Sequence, residues 1–169
     1  MVAKCHGRSL VELICVIFII SIITAIALPN LQELRDRNTR AQTTNQMVSL
    51  LHHARSNAVF SRKIVSICSG VVRCSGNTRW QNALLIFIDR NANGQLDSDD
   101  ELLRQANITD EFSWHWNRTK GHIQFEADGT TRAMNGTLTL CRKGTPEHQI
   151  IIALAGRTRS QHPSHEAKC

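Results

Sequence analysis

The chain has 169 residues, enough for one domain and an added helix, and a net charge of +6 at neutral pH. That charge suits an acidic partner, nucleic acid or anionic lipid, without choosing between them. Aromatic residues make up only 5% and tyrosine is absent, so a stacking platform for single strands is poorly supported; no phosphate loop or hydrolase motif occurs, and neither an enzyme nor a cofactor site is expected.

From Leu10 to Leu28 the only charge is Glu12, and nearly every other residue is apolar. A helix over that span is ~28 Å long, close to the thickness of a bilayer core. Lys4 and Arg8 lie just before it, and basic residues beside a first apolar helix hold that end in the cytoplasm. The remaining chain would then lie across the membrane. A secretory signal needs a shorter apolar run and a small-residue cleavage site; Ala25-Ile26-Ala27 imitates one, but the run flows on into helix-compatible sequence. A plain signal anchor leaves Glu12 unexplained, because a carboxylate near the start of a membrane helix is costly and calls for a partner.

Gly7 followed by Arg8-Ser9-Leu10-Val11-Glu12-Leu13, with Pro29-Asn30 further on, resembles the class III signal of type IV pilins and pseudopilins. The resemblance implies cutting between Gly7 and Arg8 by a prepilin peptidase. Arg8 then starts the mature chain, where the family usually has an N-methylated phenylalanine, and Glu12 is its fifth residue. In a filament of packed helices Glu12 would pair with the α-amino group of a neighbouring subunit, since desolvating either charge alone costs several kcal/mol. The implied organisation is a leader over 1–7, a membrane half-helix over 8–29, an amphipathic half-helix over 30–62 and a periplasmic β domain over 63–169. The implied partners are the inner membrane and other major and minor pilins.

Leu31, Leu34, Asn38, Ala41, Asn45, Val48, Leu51, Ala54 and Ala58 recur at three- and four-residue steps. That period predicts a helix that continues through Pro29 and ends near Ser61-Arg62, its second part packing on a globular domain. From Lys63 the pattern changes to short strands. They are predicted over Ile64–Cys68, Ala83–Ile88, Glu101–Gln105, Phe112–Trp116, His122–Phe125, Thr137–Cys141 and Gln149–Leu154, separated by turn residues such as Asn93-Gly94, Asp128-Gly129 and Lys143-Gly144. The expected fold is α+β, a long N-terminal helix packed on an antiparallel β domain.

Trp80, the run Phe87-Ile88-Asp89-Arg90-Asn91-Ala92-Asn93-Gly94, Leu102-Leu103-Arg104 and Phe125-Glu126-Ala127-Asp128-Gly129 are similar to the GspH/FimT group of minor pilins. So is the closing strand that runs into Ala155-Gly156-Arg157-Thr158-Arg159. In the FimT-like branch the Gly-Arg-x-Arg ending is associated with capture of double-stranded DNA in natural transformation. The resemblance therefore implies Arg157 and Arg159 as DNA contacts.

The residues of this ending suit that chemistry. Arg157 and Arg159 are two apart, which puts both on one face of an extended strand. No acidic residue occurs from Ala153 to His165, and guanidiniums match phosphate oxygens without reading bases. Arg142, Lys143 and Lys168 are expected to assist. The competing expectation is a solvated tail on a structural pilin or pseudopilin that primes assembly of a pilus or type II secretion pseudopilus without touching DNA.

Two further features need a reading. Asp89-x-Asn91-x-Asn93-Gly94-x-x-Asp97-x-x-Asp100 has the spacing of a calcium-binding EF-hand loop. Its last ligand is a short Asp and its flanks are strands, so the expectation is a hairpin tip with solvated carboxylates and no metal. Cys5 and Cys15 fall in the leader and the membrane helix, leaving Cys68, Cys74, Cys141 and Cys169 for the oxidising periplasm. These four allow three pairings, and spacing does not choose among them. The expectation carried forward is Cys68 with Cys74 and Cys141 with Cys169, the second holding the tail against the sheet.

Overall fold

The computed structural model describes residues 10–131 and 133–169, without the side chains of Ile26, Pro29 and Asn30. The processing residues Gly7 and Arg8 lie outside the described residues. Among the described residues a single helix, α1 (Leu10–Ser61), precedes nine strands: β1 (Val65–Ser69), β2 (Arg79–Trp80), β3 (Ala83–Ile88), β4 (Glu101–Asn107), β5 (Ser113–Trp116), β6 (His122–Phe125), β7 (Gly136–Arg142), β8 (Thr145–Ile152) and β9 (Thr158–Gln161). The chain forms two compact units that divide between Ala41 and Gln42.

The first unit is helical from Leu10 onward, and its apolar side chains, among them Leu13, Ile17 and Ile20, are exposed. Glu12 sits in the first turn, where an anion favours the helix dipole. Further along, Glu33 and Arg37 form an exposed i,i+4 ion pair. Among the described residues no helix is long and apolar enough to cross a membrane.

The second unit pairs the last part of α1 with two antiparallel sheets, ordered β4-β3-β1-β6 and β2-β5-β7-β8-β9. Met47, Leu50, Leu51, Ala54 and Ala58 supply the helix face of the core. Their three- and four-residue spacing makes one stripe, and the two alanines allow the sheets to approach closely. Val65 and Ile67, Leu84 and Ile86, Leu138 and Leu140, and Ile150 and Ile152 alternate inward from their strands and meet that stripe. Trp80, Trp114 and Trp116 complete the core.

β3 is buried along its whole length, which explains its unbroken apolar sequence Ala83-Leu84-Leu85-Ile86-Phe87-Ile88. Its other face, Leu85 and Phe87, packs with Cys68, Cys74 and Leu96 in a second small cluster. The Cys68–Cys74 disulfide and the loop carrying Leu96 thus cover the back of this sheet. The second disulfide joins Cys141 to Cys169, so both pairings are the expected ones. Cys15 is a free, exposed cysteine.

β3 and β6 have the expected bounds, and the other predicted strands shift by a few residues. The largest change is in β8, expected over Gln149–Leu154. It starts at Thr145, directly after a two-residue turn, and stops before Ala153, where the next turn begins. Pro146 is tolerated in it because the β7–β8 register shifts between Leu140 and Cys141, a bulge beside the proline. β2 and β9 were not expected. β2 is two residues long, and the polar β9 lacks the apolar alternation that marks a strand.

Candidate nucleic-acid interface

The segment expected as a basic tail begins as a hairpin. The Gly156 amide donates to the Ala153 carbonyl (2.8 Å), and the Ala153 amide donates to the Arg157 carbonyl (2.9 Å), closing the turn between β8 and β9. Gly156 has φ +71°, and a Cβ there would lie 1.9 Å from the Gly129 carbonyl oxygen, so only glycine fits. β9 then pairs with β8, Arg159 opposite Ile151 and Thr158 opposite Ile152.

This hairpin is fastened to its surroundings from two sides. Arg55 of α1 donates from Nε to the Gly129 carbonyl (2.9 Å) and from Nη2 to the Ala155 carbonyl (3.1 Å). The Thr131 amide donates to the Leu154 carbonyl (2.9 Å), and the Thr158 hydroxyl lies 3.2 Å from His52 Nε2. Thr158 therefore faces α1, while Arg157 and Arg159 are exposed. Among the described residues neither arginine is ion-paired. Two guanidiniums are presented to solvent from a fixed hairpin rather than a free tail, Arg159 on β9 and Arg157 in the connection just before it.

The other expected contacts gather elsewhere. Lys143 and Gly144 both have positive φ (50° and 82°), which makes the β7–β8 connection a type I′ turn and leaves Lys143 exposed at its tip. Arg142 Nε donates to Glu147 Oε1 at 3.0 Å, and its guanidinium lies 5.7 Å from the Phe112 ring centroid. Half-buried and paired with a carboxylate, Arg142 has less of its charge to offer than Lys143. Lys168 is exposed and precedes Cys169, whose disulfide with Cys141 brings it to the same end of the sheet. The basic residues thus form two groups at opposite ends of β8. Six strand steps separate them, ~20 Å.

The Asp89–Asp100 loop departs from one expectation. It does connect the antiparallel pair β3 and β4, but Asp89 is only 1% exposed, not solvated. Its Oδ2 accepts hydrogen bonds from Ser66 Oγ (2.6 Å), the Gly94 amide (2.8 Å) and Gln124 Nε2 (2.9 Å), and its Oδ1 accepts one from the Asn93 amide (3.1 Å). Ser66 and Gln124 are cross-strand partners on β1 and β6. The carboxylate therefore ties the loop to the sheet, using the oxygens that a cation would need. Asp100 accepts from the amides of Arg90 and Asp97 (2.9 Å each). Side-chain amides of Asn91 and Asn93 hold the Asp97 carboxyl below the usual carboxylate range. Among the described residues no group of three or more His, Cys, Asp or Glu is placed to hold a metal ion.

Sequence reasoning missed Arg55, His52 and Thr131 as supports of the arginine hairpin. The signal that could have found part of this is the pair of glycines, Gly129 and Gly156, each following a turn and each at positive φ. It could not have shown that the two turns meet.

The architecture and this geometry can be set beside known proteins. No curated protein matches the chain. The fold is that of the type IV minor pilin FimU from Pseudomonas aeruginosa strain PAO1, seen in two crystal forms at 22% identity. One match covers 72% of this chain and 91% of FimU with a TM-score of 0.57; the other covers 79% and 95% with a TM-score of 0.60. At that identity the likeness is one of fold. The GspH family, described as type II transport protein GspH, matches residues 43–156, which takes in the helix face of the core, both sheets up to β8 and the turn that ends at Gly156. The chain belongs to the GspH family, the GspH/FimT-like minor pilins and pseudopilins.

Proposed function

We propose that this protein is a minor pilin of a type IV pilus that binds extracellular double-stranded DNA, without sequence preference, for uptake in natural transformation. The observation that carries the reading is the pair Arg157 and Arg159, exposed and free of ion pairs among the described residues, on a hairpin that Gly156 and Arg55 fix in place. Rigid presentation matters because a guanidinium ordered before contact loses less freedom on binding. Lys143 and Lys168 supply the second group of charges, with a smaller share from Arg142. A duplex lying along β8 would meet the two groups about six phosphates apart on one strand, given ~20 Å of strand and ~3.4 Å per phosphate.

In this reading the prepilin peptidase cuts between Gly7 and Arg8, and the apolar half of α1 anchors the chain as a single pass in the inner membrane with the β domain in the periplasm. Glu12 then pairs with a neighbouring subunit's terminus when the chain joins major and minor pilins in the filament. Neither catalysis nor a cofactor belongs to this reading. Affinity from a few phosphate contacts is weak, and several subunits engaging one long DNA molecule raise it by avidity.

The test is a titration of the full chain in detergent micelles with duplex DNA at two salt concentrations. Two to four phosphate contacts predict a slope of log affinity on log salt of about −2 to −4. Arg157→Gln with Arg159→Gln should lose most of the binding and keep the fold, because exposed arginines contribute little to stability. Equal affinity of the two proteins at low salt would favour the second reading, a subunit that primes pilus or pseudopilus assembly without DNA. The description of its family as a type II transport protein supports that alternative.

A further inference from the structure

The five-stranded sheet has a second face, turned away from α1, and it is polar. One cross-strand row runs over all five strands: Arg79 opposite His115, His115 opposite Thr139, Thr139 opposite Gln149, and Gln149 opposite Gln161. The residues after β9 return over part of this face because Cys169 is bonded to Cys141. The Ser164 amide donates to Gln149 Oε1 (3.0 Å), and Gln149 Nε2 donates to Thr139 Oγ1 (3.3 Å). Thr139 and Gln149 are buried beneath it.

Between this returning segment and the loop after β5 lies a cleft of ≈ 560 Å³, within the range of small-molecule sites, ~300–1,000 Å³. Its lining is unlike a generic apolar pocket. Thr119, Thr137, Asn117, Gln161, Arg118 and Lys168 are among the residues that line it. Asn117 Oδ1 accepts from the Thr137 amide (2.8 Å), which fixes the side chain and leaves its amide donors free. Arg118 is held by its Nε, which donates to the Asn135 carbonyl (2.6 Å), leaving its terminal nitrogens for a ligand. Glu166 also lines the cleft.

This chemistry selects a ligand class. Trp116 is the only aromatic ring system of the lining besides His115, and its side chain is almost fully buried, so no broad aromatic surface is offered to a nucleobase. A carboxylate in the lining opposes a polymer as densely charged as DNA, yet it can accept hydrogen bonds from hydroxyls. Two cations among many hydroxyls and amides match a ligand that is rich in hydroxyls and sparsely anionic. We infer that the cleft binds a short stretch of acidic polysaccharide, with Arg118 and Lys168 pairing with its carboxylates and Asn117, His115, Thr137 and Gln161 bonding its hydroxyls. The inference shares Lys168 and the outward face of the sheet with the DNA reading, and it is told apart by Arg118, which the DNA reading does not use.

The probe is trigalacturonate, titrated into the full chain in detergent micelles, beside its methyl ester, which has the same shape without the charges. Trigalacturonate should bind at least about tenfold more tightly than the ester. Arg118→Gln should lower its affinity by about tenfold while leaving the affinity for duplex DNA unchanged, and Arg157→Gln with Arg159→Gln should leave trigalacturonate binding unchanged. Circular dichroism checks that each variant is folded; the ester comparison on the unaltered protein stands without any variant. Absence of trigalacturonate binding at millimolar concentration, equal binding of acid and ester, or a loss of DNA affinity in Arg118→Gln would each overturn the assignment. The last of these would make the cleft part of a nucleic-acid surface.

Discussion

The Asp89–Asp100 loop and the β8–β9 hairpin are each fixed by one charged side chain, and the charges work in opposite senses. Asp89 gathers donors: two backbone amides of its own loop and the side chains of Ser66 and Gln124. Arg55 gathers acceptors: the carbonyls of Gly129 and Ala155 from two different turns. A turn exposes both kinds of backbone group, and each must find a partner when it packs against protein. The anion serves a loop that curls around it. The cation serves two loops that meet, where carbonyls point toward each other and only a donor between them can satisfy both.

The first way to break this comparison is to remove the anion. Asp89→Ala leaves two amides and two side-chain donors without their acceptor in a buried place, and should cost about 3–4 kcal/mol. Urea unfolding of the full chain in detergent reads the loss as a lower midpoint at unchanged slope. The same protein tests the calcium alternative. Because the Asp89 oxygens are already occupied, calcium should not raise the melting temperature of the unaltered protein; a rise that Asp89→Ala abolishes would show a metal site.

A second comparison sets the glycines of the two turns against each other. Gly94 and Gly156 both have positive φ, and at both a Cβ would collide with a neighbour. The obstacles differ: the His122 ring at Gly94, the Gly129 carbonyl at Gly156. A ring can rotate away, but backbone cannot. Gly156→Ala should cost about 2–3 kcal/mol and Gly94→Ala about 1–2 kcal/mol. Thermal melts of the two variants decide it, and the reverse order would mean that the hairpin yields more readily than the His122 ring.

Removing the cation should have a milder effect on stability and a clearer one on the arginines. Arg55→Met keeps much of the stem packing and loses two hydrogen bonds, at a cost of about 1–2 kcal/mol. Amide exchange at Ala153 and Gly156 should quicken, since their bonds close the hairpin that Arg55 supports. If rigid presentation of Arg157 and Arg159 matters, duplex affinity should fall several-fold although Arg55 itself is not a proposed contact.

The two loops also show what a sequence displays. Asp89-x-Asn91-x-Asn93-Gly94 announces a turn because its partners are within five residues, and periodicity marked α1 and the apolar alternation of β6 for the same local reason. That Asp89 is buried was hidden, since Ser66 and Gln124 reach it from β1 and β6 across the sheet. Arg55 bonds carbonyls 74 and 100 residues away, and nothing near position 55 records this. Likewise Arg142 and Arg157 look alike as basic residues by a turn. Only the structure shows one paired with Glu147 and the other exposed.

The smallest expected effect sharpens the comparison from a third side. His122 lies against Gly94, whose amide donates to Asp89, and it is buried with no hydrogen-bond partner for Nε2 among the described residues. Burial lowers its pKa from the ordinary value near ~6.5 and the Lys120 charge lowers it further, while the nearby Asp89 carboxylate opposes them. The folded state therefore favours the neutral ring. Above pH ~6.5 the ring is neutral in both states and this preference costs nothing; as the pH falls through that value the unfolded chain takes up the proton first, so stability declines until the folded protein is protonated as well. His122→Gln should flatten this part of the stability profile between pH 5 and 7, and Lys120→Gln should move its lower edge upward, because one of the two effects that disfavour the charged ring is then gone and only burial remains. The effect is the smallest of the four because one proton is at stake. Denaturant midpoints across that pH window, for the three proteins, measure it; an unaltered profile in His122→Gln would place the acid sensitivity of the loop elsewhere.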